Sequence, residues 1–229
     1  MSIMKLNELK EAERIKISLL KYIYKSTKGR YIAVPEVSLP SSVADILVTN
    51  GDIHIYEIKS KSDTLARLEK QINDYKKFAH KVTVVVDEKF ISKLNKLEFM
   101  NGVGIVSVNN RYGLTHIRES AKFEVGKNFY LAYWSPIELR ESLRGFEKWY
   151  KYSSDEAYNK VLTILSEEEI RKVTLFRLKE KYIKEHLKRK DLIVEKDYVK
   201  ALQSRFKDLE ELDVTPLKYL PAYVFRDFD

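Results

Sequence analysis

Three features of the first half of this chain predict a mixed α/β layer fold. Two runs rich in β-branched residues, SVADILVT and IHIYEIK, flank Asn50-Gly51, a strong hairpin signal. Between Asp63 and Ala79, the residues Leu65, Leu68, Ile72, Tyr75 and Ala79 step by 3, 4, 3 and 4, one apolar stripe of a helix. The compact run KVTVVVDE that follows reads as a strand buried on both faces, as in parallel sheets. A hairpin, a helix and a buried strand in that order make a sheet with an antiparallel pair and a crossover helix.

The elements follow in order. A first helix is predicted over 7–24, where Leu9, Ile15, Leu19, Leu20 and Ile23 recur at helical spacing and Gly29 lies beyond the end. RYIAVPEVSL reads as a strand interrupted by Pro35, hence an edge strand or a bent one. After the hairpin, the 63–79 helix and the KVTVVVDE strand come a short helix near 89–99, the strand GVGIVSVN and a last strand in GLTHIRES. Beyond about residue 126 the pattern changes. Ser135…Glu138 (with Pro136 at the first helical position), Ser153…Glu156 and Ser166…Glu169 each have the spacing of a capping box at a helix start. The chain is therefore read as a first domain over 1–126 and a mainly helical region over 127–229.

Composition narrows the function classes. At 229 residues with 44% hydrophobic content, the chain can bury a sizeable core and is not globally disordered. No run approaches the roughly 18 apolar residues of a membrane span, and the N-terminus lacks the apolar block of a secretory signal. No membrane partner is expected, and a cytoplasmic location fits. The absence of cysteine excludes disulfides, thiolate catalysis and Cys-type metal sites. The net charge of +8 is uneven: residues 1–126 hold 21 Lys+Arg and 15 Asp+Glu, a net of +6. Such an excess favours a polyanionic partner through counterion release.

The stretch DIHIYEIKSK carries the chemistry. Side chains alternate along a strand, so Glu57 and Lys59 share one face. The pattern acid-x-Lys also occurs at Glu8–Lys10, Asp74–Lys76 and Asp87–Lys89. The first two of these fall on predicted helices, where positions two apart do not share a face, and the third lies at a strand exit. Only Glu57–Lys59 follows a hairpin whose first strand carries a lone acid, Asp45. Two facing carboxylates repel, and a hard divalent cation such as Mg²⁺ relieves the repulsion. A lysine beside it can orient or deprotonate water, or hold charge on a phosphoryl group. The chemistry implied is metal-assisted attack of water on a phosphodiester.

Parity adds a constraint. With only Asn50 and Gly51 in the loop, Asp45 would face Tyr56 and point away from Glu57. A three-residue loop, Asn50-Gly51-Asp52, or a bulge brings Asp45 opposite Glu57, with Gly51 suited to the left-handed position. Downstream, Gln71 and Tyr75 are spaced i, i+4 and share a helix face. Together they could hold a phosphate or orient the lysine. Taken singly, Tyr75 belongs to the apolar stripe and Gln71 is an ordinary surface residue.

Asp45, then Glu57-Ile58-Lys59, then Gln71-x-x-x-Tyr75, resembles the PD-(D/E)xK nuclease superfamily. The Gln-x-x-x-Tyr element is similar to that of its RecB-like and lambda-exonuclease-like branch. The resemblance covers about residues 7–110, and within it residues 44–86 are also similar to small, mostly uncharacterised bacterial proteins of that superfamily. It implies a restriction-endonuclease-like mixed sheet flanked by helices. It also implies Asp45, Glu57 and the Ile58 carbonyl as ligands of Mg²⁺, with Mn²⁺ able to substitute. Lys59 would serve catalysis, with Gln71 and Tyr75 supporting it. Relatives carry a first-helix glutamate near the metal, for which Glu13 is the candidate and Glu8 and Glu11 compete. Ala44 precedes Asp45 where the motif name has proline. Lys61, Arg67, Lys76 and Lys77 are the basic side chains expected to meet nucleic acid.

Other candidates read as structural. His54, His80, His116 and His186 show no two-ligand spacing, and His54 falls on the strand face opposite Glu57. The basic run 171–190 follows three glutamates and reads as a solvated helix face. Trp134 and Trp149 read as packing residues before base-stacking ones. The function predicted is a metal-dependent nuclease hydrolysing DNA, with RNA and homo-oligomer formation left open. The alternative is a non-catalytic nucleic-acid-binding or protein-interaction module on the same fold.

Overall fold

The structure is a computed structural model that describes residues 9–28, 31–204, 206 and 209. Helix α1 (Glu11–Ser26) starts where the Glu13 carboxylate accepts the Lys10 backbone N–H at 2.8 Å, satisfying an amide the helix leaves unpaired. The part of the predicted first helix before Leu9 lies outside the described residues.

Six strands lie side by side in chain order: β1 (Ile32–Ser38), β2 (Val43–Thr49), β3 (Ile53–Lys59), β4 (Lys81–Asp87), β5 (Gly104–Val108) and β6 (Leu114–Arg118). The pairs β1–β2, β2–β3 and β5–β6 are antiparallel, whereas β3–β4 and β4–β5 are parallel. A parallel step obliges the chain to return along the sheet. Helix α2 (Leu68–Phe78) makes that return before β4. It begins later than the 63–79 stripe predicts, because Asp63 folds back to accept Ser60 N at 2.8 Å and Ser60 Oγ at 2.7 Å. Before β5, the helix predicted near 89–99 is broken into a 3₁₀ turn (Glu88–Phe90), α3 (Ile91–Leu94) and another 3₁₀ turn (Glu98–Met100). Asp87 accepts Lys89 N at 3.1 Å and sets the first turn.

Strand β4 is buried on both faces, as its unbroken valines require; Val82, Val84, Val85 and Val86 are all fully enclosed. Each such side chain contributes roughly 1.5–3 kcal/mol relative to exposure. On one sheet face Ile46, Val48, Tyr56, Ile58, Val85 and Val106 join the apolar side of α1 in a single core. The alternate positions Glu57 and Lys59 point to the other face, where side chains of α2 meet them. Strand β1 is at the sheet edge, where Pro35 costs no ladder bond. The register runs unbroken from Pro35↔Ile46 to Val37↔Ala44, which sets Glu36 opposite Asp45, and Glu36 takes a left-handed φ of +57°.

The remaining helices are α4 (Lys127–Tyr130), α5 (Pro136–Glu141), α6 (Ser154–Ile164), α7 (Glu167–Val194) and α8 (Tyr198–Ala201). All three capping boxes form, with Ser135, Ser153 and Ser166 backbone N–H groups each 2.7 Å from the glutamate three residues on. One compact unit holds the described residues up to Glu124 together with those from Tyr182 onward; a second holds Val125–Lys181. The division at 126 read from the sequence thus misses a return of the chain. Leu192, Ile193, Tyr198 and Ala201 are apolar and belong to the core of the first unit. The basic run is also not wholly solvated. Arg189 is fully buried, its Nε donating to the Ala201 carbonyl at 2.8 Å and its Nη2 to the Gln203 carbonyl at 2.7 Å. No helix among the described residues is long and apolar enough to cross a membrane.

His54 is structural in this fold, stacked on Tyr56 with Nε2 2.8 Å from Thr83 Oγ1. Burial first, then the nearby Lys81 charge, lowers its pKa to about 3. The folded state keeps His54 neutral while the unfolded chain takes up a proton below its ordinary value of about 6.5. Its contribution is complete above about 6.5 and is lost as the pH falls toward 3. Urea unfolding between those pH values should show a shallower pH slope for His54→Gln than for wild type; equal slopes would assign the acid sensitivity elsewhere.

Candidate active site

The β2–β3 register pairs Thr49 with Ile53, so the loop holds three residues, Asn50, Gly51 and Asp52. Asn50 N donates to the Asp52 carbonyl at 3.1 Å, and Gly51 takes φ of +80°, a conformation that glycine adopts without a Cβ penalty. Ile46 lies opposite Tyr56, and by alternation Asp45 shares the sheet face of Glu57 and Lys59. Hairpin parity therefore brings the acids together, and both line one cleft of about 310 Å³.

Glu57 sits at the centre of a closed network. Lys59 Nζ donates to Glu57 Oε1 at 2.7 Å and to Gln71 Oε1 at 2.9 Å, while Gln71 Nε2 donates to Glu57 Oε1 at 2.7 Å. The Tyr75 hydroxyl is 2.7 Å from Glu57 Oε2 and 2.8 Å from the Val43 carbonyl, and its one proton serves one of these acceptors at a time. Gln71 and Tyr75 thus act from one face of α2, as their spacing requires. The Glu57 and Lys59 side chains are only 3% and 8% exposed, so their pairing is made in a weakly screening environment.

Asp45 is held differently. Its Oδ2 accepts the Ile58 backbone N–H at 2.8 Å, and its Oδ1 lies 3.5 Å from Lys16 Nζ. The same ammonium contacts Glu36, which lies opposite Asp45 on β1, and so lies between two acids. Burial above all raises the pKa of both Asp45 and Glu57; the charge of Asp45 adds to the rise at Glu57. Among the described residues no group of three or more His, Asp or Glu side chains is arranged to hold a metal ion.

Of the first-helix acids, Glu13 lines the cleft. Glu11 instead accepts Ser62 N at 3.3 Å, and Glu8 lies outside the described residues. Lys61 and Lys77 are exposed, and exposed Arg67 reaches the cleft wall. Lys76 is a correction to the expected set of nucleic-acid contacts. Its ammonium donates to the Phe99 and Asn101 carbonyls at 2.8 and 2.9 Å, so it is engaged in closing a turn. Of the other acid-x-Lys matches, those at Asp74 and Asp87 are structural as well, with Asp74 accepting Ser41 Oγ at 2.7 Å and Ser42 Oγ, and Asp87 accepting Lys89 N. Sequence reasoning missed Lys16 and Glu36. Pro35 signalled an irregular strand, but nothing local showed that Lys16 of α1 would meet Glu36 there.

The fold and cleft define a mixed-sheet α/β protein with a buried carboxylate–lysine network. The chain belongs to the family described as bacteriophage P4 protein cII, whose model matches residues 4–213. It is 30% identical over 146 residues to Protein cII of Enterobacteria phage P4, covering 61% of this chain and 55% of that protein. The chain thus spans about half the length of the curated relative it matches. A solved structure, the SPO1766 protein of unknown function from Silicibacter pomeroyi, is similar at 17% identity and a TM-score of 0.42, over 53% of this chain and 80% of that one.

Proposed function

We propose that the protein is a metal-dependent nuclease of the PD-(D/E)xK type, hydrolysing DNA phosphodiester bonds on a restriction-endonuclease-like fold. The observation that carries this reading is the joining of Glu57, Lys59, Gln71 and Tyr75 in one network beside Asp45, in a polar cleft. The donor set fits a hard cation: buried Glu57 and half-buried Asp45, both with raised pKa, with Ile58 lining the same cleft. Asp45, Glu57 and the Ile58 carbonyl would hold Mg²⁺, or Mn²⁺ in its place. When bound, the ion supplies positive charge to the phosphodiester and acidifies water.

The chain's own residues do the positioning. Tyr75 and Gln71 fix the two Glu57 oxygens, and Gln71 also orients Lys59 Nζ. Lys59 then presents its ammonium toward the cleft, where it can hold charge on a phosphoryl oxygen or orient the attacking water. Arg67, at the cleft wall, and exposed Lys61 and Lys77 are suited to backbone phosphates.

One observation favours a second reading, a non-catalytic binding module. Both Glu57 oxygens already have protein partners, and Lys16 already neutralises Asp45. The two readings part in a cleavage assay on labelled linear, circular and single-stranded DNA with Mg²⁺ and Mn²⁺. The nuclease reading expects metal-dependent cleavage that is lost in Glu57→Gln; cleavage that persists in this variant, or none in wild type under any condition, would overturn it.

Lys16 provides a further test. Its charge opposes a cation at Asp45, so Lys16→Met should tighten apparent Mn²⁺ binding about tenfold. Thermal melts across a Mn²⁺ titration measure this, and an unchanged midpoint would remove Lys16 from the site.

A further inference from the structure

The second unit carries an exposed aromatic and basic surface that the cleft chemistry does not use. In RGFEKWYK, residues 144–151, Phe146 is 42% and Tyr150 63% exposed, and Trp149 is half-buried between them in sequence. Trp134, by contrast, is buried and donates from Nε1 to Thr174 Oγ1 at 2.8 Å, so only one of the two tryptophans is a packing residue in the sense expected. Large exposed aromatics close in sequence are a departure from ordinary surface composition.

The backbone presents them by design of the turn. Gly145 takes φ of +107° and Lys148 φ of +55°. A lysine in the left-handed region is uncommon, and such a residue persists only where its surroundings hold it there. The segment is secured beneath by fully buried Leu143, whose carbonyl accepts Phe146 N at 3.1 Å. The 3₁₀ turn Trp149–Lys151 follows directly, with Trp149 and Tyr150 rings edge to face at 6.1 Å.

Cations accompany the rings. The Arg144 guanidinium lies 5.1 Å from the Trp149 ring centroid, and Lys160 Nζ lies 5.6 Å from that of Phe146. Residues 140–151 contain Arg140, Arg144, Lys148 and Lys151 against Glu141 and Glu147, four bases to two acids. Arg144 pairs with Glu141 at 2.9 Å and Lys148 with Glu147 at 3.1 Å. Lys148 and Glu147 are 64% and 85% exposed, so that pair is weak and a phosphate can compete for the lysine.

We infer that this surface binds single-stranded nucleic acid, with bases stacking on Phe146, Trp149 and Tyr150 and phosphates meeting Arg144, Lys148 and Lys151. A single strand offers flat faces and negative charge together, and stacking on aromatics is tolerant of sequence. A duplex keeps its bases stacked internally and cannot use the rings. This site shares no residue with the cleft and does not depend on cleavage there.

The test is a titration of the full-length chain with short thymidine and uridine oligomers in EDTA, where no metal-dependent cleavage can occur. Tryptophan fluorescence should be quenched in wild type and unquenched in Trp149→Phe, because Trp134 is enclosed. Tyr150→Ala and Phe146→Ala should each weaken binding about tenfold by fluorescence anisotropy, while a duplex of the same sequence leaves Trp149 unquenched. Quenching by one oligomer alone would assign DNA or RNA. Binding without quenching, or unchanged affinity in both alanine variants, would overturn the inference. So would a Trp149 signal that follows protein concentration without oligomer, which would make the patch a contact between copies. Loss of cleavage activity in the cleft leaves all of these readouts intact.

Discussion

Lys59→Ala is expected to lower folding stability by about 3 kcal/mol at neutral pH, besides reducing cleavage at least about a hundredfold. A lysine at the end of a strand would ordinarily be a peripheral side chain whose loss costs little. Here its side chain is 8% exposed and its ammonium is shared between Glu57 and Gln71. Removing it leaves a buried carboxylate without its cation. Two consequences separate this from simple loss of packing. Burial and Asp45 already raise the Glu57 pKa, and Lys59 lowers it, so the variant raises it further. A raised folded-state pKa means that the folded form holds its proton longer than the unfolded one. The stability deficit should therefore shrink on acidification through the carboxylate range and be complete at neutral pH. A divalent cation should also recover part of the lost stability, raising the melting temperature more in Lys59→Ala than in wild type. Guanidinium melts at neutral and acidic pH, with and without Mn²⁺, measure all three effects. A deficit independent of both pH and metal would show that Lys59 acts only through its hydrocarbon stem.

The second large effect lies at Tyr75, whose ring is fully enclosed beneath α2. Tyr75→Ala should cost about 3–5 kcal/mol, the range for emptying a large aromatic site. Tyr75→Phe keeps the ring and removes only the hydroxyl that meets Glu57 Oε2 and the Val43 carbonyl. Its cost should be about 1 kcal/mol. If Tyr75→Phe is as destabilising as Tyr75→Ala, the hydroxyl, and not the ring, holds this corner of the sheet. Because Tyr75 fixes Glu57 without lining the cleft, Tyr75→Phe should lower apparent metal affinity more than it lowers cleavage at saturating metal.

Local pattern decided several features outright. The alternation in IHIYEIK puts Glu57 and Lys59 on one face whatever the rest of the chain does. The spacing of Gln71 and Tyr75 likewise puts them on one helix face, and the parity of the hairpin left a three-residue loop as a simple way to join Asp45 to them. The valines of β4 announced a strand enclosed on both sides, and the three Ser-x-x-Glu pairs marked helix starts that the structure places at those serines.

Contacts between distant segments decided the rest. Lys16 and Glu36 are 20 residues apart and meet only in the folded chain, where Glu36 takes a left-handed φ of +57°. Lys76 looked like any surface lysine until two carbonyls from 99 and 101 closed on it. The return of the chain after Tyr182 was hidden because a charged helix says nothing local about which core its few apolar residues complete. Periodicity is a property of neighbours along the chain and fixes which side chains share a face. Burial, ion pairing and the partner each face meets are set by segments that the sequence separates, and only tertiary packing brings them within a few ångströms.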